Sequence, residues 1–244
     1  MNILTEVVSF KDAEPWLLTL QGLYDLLPVV FFLLGSIILL RTLYKKMVKG
    51  CYCLLAAGSI MVTSAGILKA FHKIIMGLGQ VDYIILDKQF TPTQSIGFLL
   101  LFLSLVGMFT VHNKEHIGET KTSVIVLPAL LLVAPLVYEE VQYGDSGLPA
   151  FTNPWPFLGV MIVGAAGFLA MLMVIAIKMK RVPEAILFGL SIILMIGMGY
   201  LSTKRGLSGA WYQISCNLCY QLCFFIACLL LKKHGLEEAK LFSK

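Results

Sequence analysis

The sequence predicts an all-α fold: a polytopic integral membrane protein, built as a seven-transmembrane-helix bundle with the N-terminus outside and the C-terminus cytoplasmic. Three observations carry this expectation. Of 244 residues, 58% are hydrophobic and 14% charged, against about half and about a quarter in soluble domains. The mean hydropathy is +0.86. The apolar residues come in long blocks rather than periodic stripes, so the excess does not describe one large core. A soluble domain, a nucleic-acid binder and a secreted disulfide scaffold are excluded on these grounds.

A helix crossing ~30 Å of hydrocarbon at ~1.5 Å per residue needs about 20 mainly apolar residues. Seven blocks meet or approach that length: 27–44, 51–73, 94–112, 122–138, 155–177, 184–203 and 209–231. Residues 1–244 then form a single transmembrane domain, with no room for a soluble catalytic one. Before the first block, Asp12-Ala13-Glu14-Pro15 reads as a helix start, with Asp12 placed to cap and Pro15 early in the first turn. Either Trp16, Leu17, Leu20, Leu23 and Tyr24 lie on the outer surface until Pro28 turns the chain inward, or the first helix begins near Pro15 and bends at Pro28. The polar opening, with Glu6, Lys11, Asp12 and Glu14, does not read as a cleaved signal peptide. The fourth block is the shortest and holds Pro128 and Pro135, which predicts a kinked helix whose freed carbonyls need neighbours.

Orientation follows the lysines and arginines. With the amino terminus outside, the cytoplasmic segments hold 13 basic residues and the outer ones 6, while nine of the 14 acidic residues lie outside. The formal charge is then +8 inside and −3 outside, so the net +5 reflects a membrane bias and no nucleic-acid footprint. Inner connections are short and basic. Two outer ones, 77–93 with Asp82, Asp87 and Lys88, and 139–154 with Glu139, Glu140 and Asp145, are longer, which favours the outside as a ligand-facing side.

Cys51 and Cys53 sit at the inner end of the second block, and Cys216, Cys219, Cys223 and Cys228 run down the seventh. They lack converging His or carboxylate neighbours, so they read as small packing residues, with no metal and no cofactor expected. Helices 1–2 and 5–6 align at an offset of 132, matching Gly35 with Gly167, Lys46 with Lys178 and Ser59 with Ser191. This suits a three-plus-one-plus-three parallel arrangement, although the third and seventh blocks do not follow the same offset.

Ionisable groups are nearly absent from the apolar stretches, and no proton-carrying carboxylate or Schiff-base lysine is present at mid-depth. His-Glu-x-x-His, Gly-x-Ser-x-Gly and P-loop patterns are missing, and no catalytic residue is assigned. Polar signal concentrates on two helices. In the seventh block Gln213, Asn217 and Gln221, with Tyr220 beside them, fall within an arc of about 100°. In the second, Ser59, Thr63, Gly66, Lys69 and Lys73 fall within about 120°, with His72 a further ~60° round. If these faces meet, they line a cavity open to the outside, basic at its mouth and amide-rich deeper in.

The candidate ligand-binding set is therefore Lys69, His72, Lys73, Thr63, Gln213, Asn217 and Gln221. Asp25, Asp82, Glu139 or Glu140 would neutralise the lysines when the cavity is empty, and Tyr200, Ser202 and Thr203 would complete its wall. Below Gln221 the run Cys223-Phe224-Phe225-Ile226 forms an apolar inner plug. The competing account is that the amides and hydroxyls only join helices, at well under ~1 kcal/mol each, while the lysines snorkel to headgroups.

The fifth block, with Gly159, Gly164, Ala165, Ala166, Gly167 and Ala170, is smooth enough to pack against the sixth (Gly189, Gly197, Gly199) or to form a homodimer. Three functions stand at this level: a non-enzymatic binder of a small polar or anionic ligand, as sensor or passive carrier; an accessory subunit packing on another membrane protein; and a lipid-modifying enzyme using His72 and Glu139. Expected partners are the lipid bilayer, a small-molecule ligand, and a membrane protein or second copy through the fifth block. Nucleic acid is not among them. Asn153 precedes proline and is no sequon, and the compact loops lean toward a bacterial inner membrane.

Overall fold

The computed structural model describes residues 14–44, 46–79, 86, 89–110, 126, 130, 155–202 and 207–236, leaving aside the side chains of 155, 156, 202 and 207–209. Among them are six helices long and apolar enough to cross a membrane and no strand. These are α1 (Pro15–Leu43), α2 (Lys49–Gly77), α3 (Phe90–Thr110), α4 (Trp155–Lys178), α5 (Val182–Ser202) and α6 (Leu207–Lys233). The described residues are all-helical, and the chain is a multi-pass membrane protein. Of the expected helix 122–138, only Val126 and Leu130 are described, both helical. The rest of it, with Pro128 and Pro135, lies outside the described residues, as do Asp12, Asp82, Asp87, Glu139, Glu140 and Thr203.

Each helix exceeds or shifts its apolar block. The largest correction is α1, which starts at Pro15 rather than 27 and continues through Pro28. Pro15 takes the first helical position, where a missing N–H is harmless. Glu14 is the N-cap without a side-chain capping bond, and its carboxylate instead accepts from the Trp16 indole. Residues 15–26 are therefore continuous with the helix of the first block. At the other end of the hairpin, α2 runs on to Gly77 because Ile74, Ile75 and Met76 continue its apolar character.

Helix directions follow from the contacts, taking the end where α1 begins as upper. Gly22 of α1 packs on Ala70 and Ile74, and Gly58 of α2 on Gly97 and Leu101 of α3, so α1, α2 and α3 alternate in direction. Gly189 of α5 faces Met173 of α4, and the Ser191 hydroxyl of α5 donates to the Tyr220 carbonyl of α6, so α4, α5 and α6 alternate too. Between the triplets the course is parallel. Ser95 meets Phe157, Gly167 meets Phe102 and Lys178 lies over the Phe109 ring, which sets α3 and α4 side by side, both descending. Tyr24–Trp211 and Gly35–Phe224 do the same for α1 and α6. Neighbour by neighbour the six helices close into a ring.

Small residues set the closest approaches. A Cβ on Gly58 would stand 2.6 Å from the Gly97 carbonyl oxygen, and one on Gly97 2.8 Å from Val62. A Cβ on Gly164 would stand 2.8 Å from the α3 backbone. This corrects the expected partner of the 155–177 glycines: Gly164 and Gly167 pack on α3, while Gly189 of the next helix makes only an ordinary 3.8 Å contact with Met173. Ala166 and Ala170 are half-buried. The ring is filled by Phe32, Phe98, Phe168, Phe188 and Phe224, all buried. Phe224 stacks on Phe32 at 5.6 Å and touches Phe168 at 5.9 Å and Phe188 at 6.5 Å.

Outside, Leu20, Leu23, Leu27, Val30, Leu34 and Ile37 on α1, and Val182, Ile186, Leu190, Ile193 and Ile196 on α5, are exposed. Two stripes of large apolar side chains facing outward, over a core that is also apolar, suit a solvent of acyl chains.

Candidate functional site

Between α1, α2, α3 and α6 lies a cavity lined by Asp25, Pro28, Val29, Phe32, Val62, Gly66, Lys69, Phe90, Gln94, Asn217 and Gln221. Its volume is about 50 Å³, room for roughly four water-sized centres at ~10–15 Å³ each. It is partly open, and its floor is the Phe32 ring that stacks on Phe224.

The α1 wall exists because Asp25, Pro28, Val29 and Phe32 recur at helical spacing. Pro28 brings no N–H to the Tyr24 carbonyl, and its ring forms part of the wall. Asp25 is nearly buried and accepts from Lys73 Nζ at 2.5 Å. The pair ties α1 to α2, and each charge offsets the other's desolvation. Lys69, one turn below Lys73 on α2, reaches the cavity with its ammonium 4.2 Å from the centre of the Phe90 ring at the start of α3, where the aromatic face attracts a cation. Gly66 leaves space for Val29.

From α6, Asn217 and Gln221 stand one turn apart on the same face. Gln221 is 5% exposed, and its Oε1 has no hydrogen-bond partner among the described residues. A buried carbonyl oxygen left unpaired is unfavourable by about 1–3 kcal/mol. One further orphan lies on the Asp25 face of α1, a turn higher: Gln21 is fully buried, with neither amide atom partnered among the described residues.

Of the seven residues expected from sequence, Lys69, Asn217 and Gln221 are brought together on this wall, and Lys73 is joined to it through Asp25. The other three are not on it. Thr63 is buried and donates to the Ser59 carbonyl at 2.8 Å, so its hydroxyl is satisfied within its own helix. His72 and Gln213 are half-buried and line no part of it. Tyr200 is exposed, since α5 adjoins α4 and α6 and stays away from α1 and α2. Of the plug residues only Phe224 reaches the centre; Phe225 packs on Phe31 at 5.7 Å and Ile226 is exposed.

Gln94 and Phe90 were missed from sequence. Their signal was the polar run Thr91-Pro92-Thr93-Gln94-Ser95, which straddles the start of the 94–112 block, whereas α3 begins at Phe90.

Cys51 and Cys228 are fully buried, the Cys216 thiol donates to the Leu194 carbonyl at 3.2 Å, and Cys53 and Cys219 are exposed. Among the described residues no group of three or more His, Cys, Asp or Glu side chains converges as a metal site would require. A second polar contact lies at the lower end, where the Glu184 carboxylate, fully buried near the start of α5, meets His234 Nδ1 at 2.5 Å just beyond α6.

Comparison with protein-family models, characterised proteins and solved structures finds no match for this chain.

Proposed function

We propose that this chain crosses the membrane seven times, with its amino terminus on the extracytoplasmic side, and binds a small polar or anionic solute from that side without chemically transforming it. The cavity between α1, α2, α3 and α6 carries the reading, because it gathers on one wall a lysine, three amides and a carboxylate paired with a second lysine. Intramembrane polar groups of this kind mark solute sites more often than packing requires.

Two features support the topology. First, α3 and α4 both descend, so the chain between Thr110 and Trp155 has to regain the upper end, which an additional crossing within 122–138 would do. Second, Arg41, Lys46, Lys49, Lys178, Lys180, Arg181, Lys232 and Lys233 belong to the lower end, while Lys69 and Lys73 belong to the upper, the asymmetry expected when the lower end faces the cytoplasm. The cavity lies in the upper half, above the phenylalanine floor, which favours binding over conduction in this state. A cell membrane of bacterial type remains the favoured setting.

The test is ligand-dependent thermal stabilisation of the purified full chain by a panel of small polar and anionic solutes. A solute that binds here should raise the melting temperature of the wild type. Asn217→Leu, monodisperse and folded, should abolish that rise. A panel without effect, or a rise that survives Asn217→Leu and Lys69→Gln together, would remove the reading. Reporter tags at the two termini should lie on opposite faces of the membrane.

A further inference from the structure

Away from the cavity, the lower end of the bundle gathers four cations from two separate stretches of chain. Lys180 and Arg181 form the turn between α4 and α5, Lys232 and Lys233 end α6, and all four are exposed. The turn is fixed by its backbone. Lys180 N–H bonds to the Ile177 carbonyl and Arg181 N–H to the Ala176 carbonyl, both at 2.9 Å. Lys180 has φ 58°, at a position glycine usually fills. The end of α6 closes in the same manner. Gly235 has φ 78°, Leu236 N–H bonds to the Leu231 carbonyl at 3.0 Å, and Leu236 is buried in the core.

One contact joins the two ends. Glu184, in the first turn of α5, is fully buried and meets His234 Nδ1 at 2.5 Å. Arg181 precedes Glu184 by three positions, and Lys232 and Lys233 lead directly into His234, so the four cations share one corner. Glu184 is the only acidic residue described at this end, and His234 already takes it. No ion pair engages any of the four cations among the described residues.

The same corner borders lipid. Val182, Ile186, Leu190 and Ile193 form an exposed apolar stripe on α5 that starts beside Arg181. On α6, Ile226 and Leu229 are exposed, and Lys232 and Lys233 follow Leu229 by three and four positions, on the same face. An excess of cations at one end is enough to orient a chain. It does not require them to be drawn from two segments to the foot of one apolar stripe. A free phosphate would answer the charge and leave that stripe unused.

We infer that this corner binds an anionic phospholipid, with its headgroup phosphate among Lys180, Arg181, Lys232 and Lys233 and its acyl chains along α5 and α6. Arg181 brings a planar fork suited to two phosphate oxygens, and the lysines add point charges that draw an anionic headgroup. The Glu184–His234 contact is the brace that keeps the two halves of the site together.

The experiment titrates the purified full chain, in neutral detergent, with phosphatidylglycerol and with phosphatidylcholine of identical acyl chains, and reads bound lipid by native mass spectrometry. The wild type should bind phosphatidylglycerol at least about tenfold more tightly. The combined variant Lys180→Gln, Arg181→Gln, Lys232→Gln and Lys233→Gln should fall to the phosphatidylcholine level. Arg41→Gln with Lys49→Gln, which removes two exposed cations of the same end, should keep the preference. Glycerol phosphate, a headgroup without chains, should not compete. Equal binding of the two lipids by the wild type overturns the assignment and needs no variant to fold. A preference that survives in the fourfold variant, or is lost equally in both variants, overturns it as well, the latter by showing a diffuse field. Full competition by glycerol phosphate overturns the lipid as occupant and leaves a phosphate site.

Discussion

The two helical triplets, α1–α3 and α4–α6, follow the same course and meet through equivalent contacts, yet the cavity wall draws on all three helices of the first and only on α6 of the second. Gly35 of α1 receives Phe224 from α6, and Gly167 of α4 receives Phe102 from α3, each placing a would-be Cβ within 2.6–2.7 Å of a ring atom. Gly35 and Gly167 are 132 positions apart. The same spacing takes Asp25, on the cavity wall, to Phe157, which is 2% exposed, and takes Lys69 to Leu201 and Gly66 to Met198. The cavity thus borders every helix of the first triplet, whereas Phe157, at the position that corresponds to Asp25, is buried in an apolar cluster with Leu54, Ile96 and Leu100.

The sharpest way to break this contrast is to install the first triplet's carboxylate in the second. Phe157→Asp removes a buried ring and leaves an unpaired carboxylate, and should destabilise by about 3–5 kcal/mol, read as a large fall in melting temperature in detergent. A variant as stable as the wild type would mean that the second triplet is as tolerant of polarity as the first. Next in size is the helix crossing. Gly58→Leu drives a side chain into the Gly97 backbone and should destabilise by about 1–3 kcal/mol, while Gly199→Leu, with open space around it, should stay within about 0.5 kcal/mol. Equal stability of the two variants would show that the α2–α3 approach is not the tight joint. Smallest is Ser95→Ala, which removes hydroxyl bonds to the Thr91 and Phe157 carbonyls at 2.6 and 2.7 Å. Such bonds average about 0.6 kcal/mol in membranes, so chemical denaturation should register a minor loss and solute binding none.

The helices were legible in sequence because hydrocarbon demands long uninterrupted apolar runs, and no other arrangement hides their backbone. Their ends were less so. Gln21 and Asp25 count against an apolar reading of 15–26, yet both turn inward on α1, where hydropathy averaged along the chain does not distinguish facing from avoiding lipid. The cavity was half legible for a related reason. Residue spacing fixes which side chains share a face of one helix, so Asn217 with Gln221, and Lys69 with Lys73, were correctly grouped. It does not fix which levels of that face border a void, and Gln213, two turns above Gln221, and His72 line no part of the cavity. Nor does it show that Thr63 is satisfied by the carbonyl four residues before it. Asp25 is expected from sequence as a partner of the lysines and pairs with Lys73, whereas the Phe90 and Gln94 part of the wall comes from a helix whose start blurs into its connection.

Gln221 and Phe224 sit three residues apart on α6, within about 5 Å of one another along the axis. The amide borders the cavity, and the ring touches α1, α4 and α5. A twist of α6 that re-aims the one therefore re-aims the other. One helix thus reaches from the cavity to the aromatic hub where three others meet.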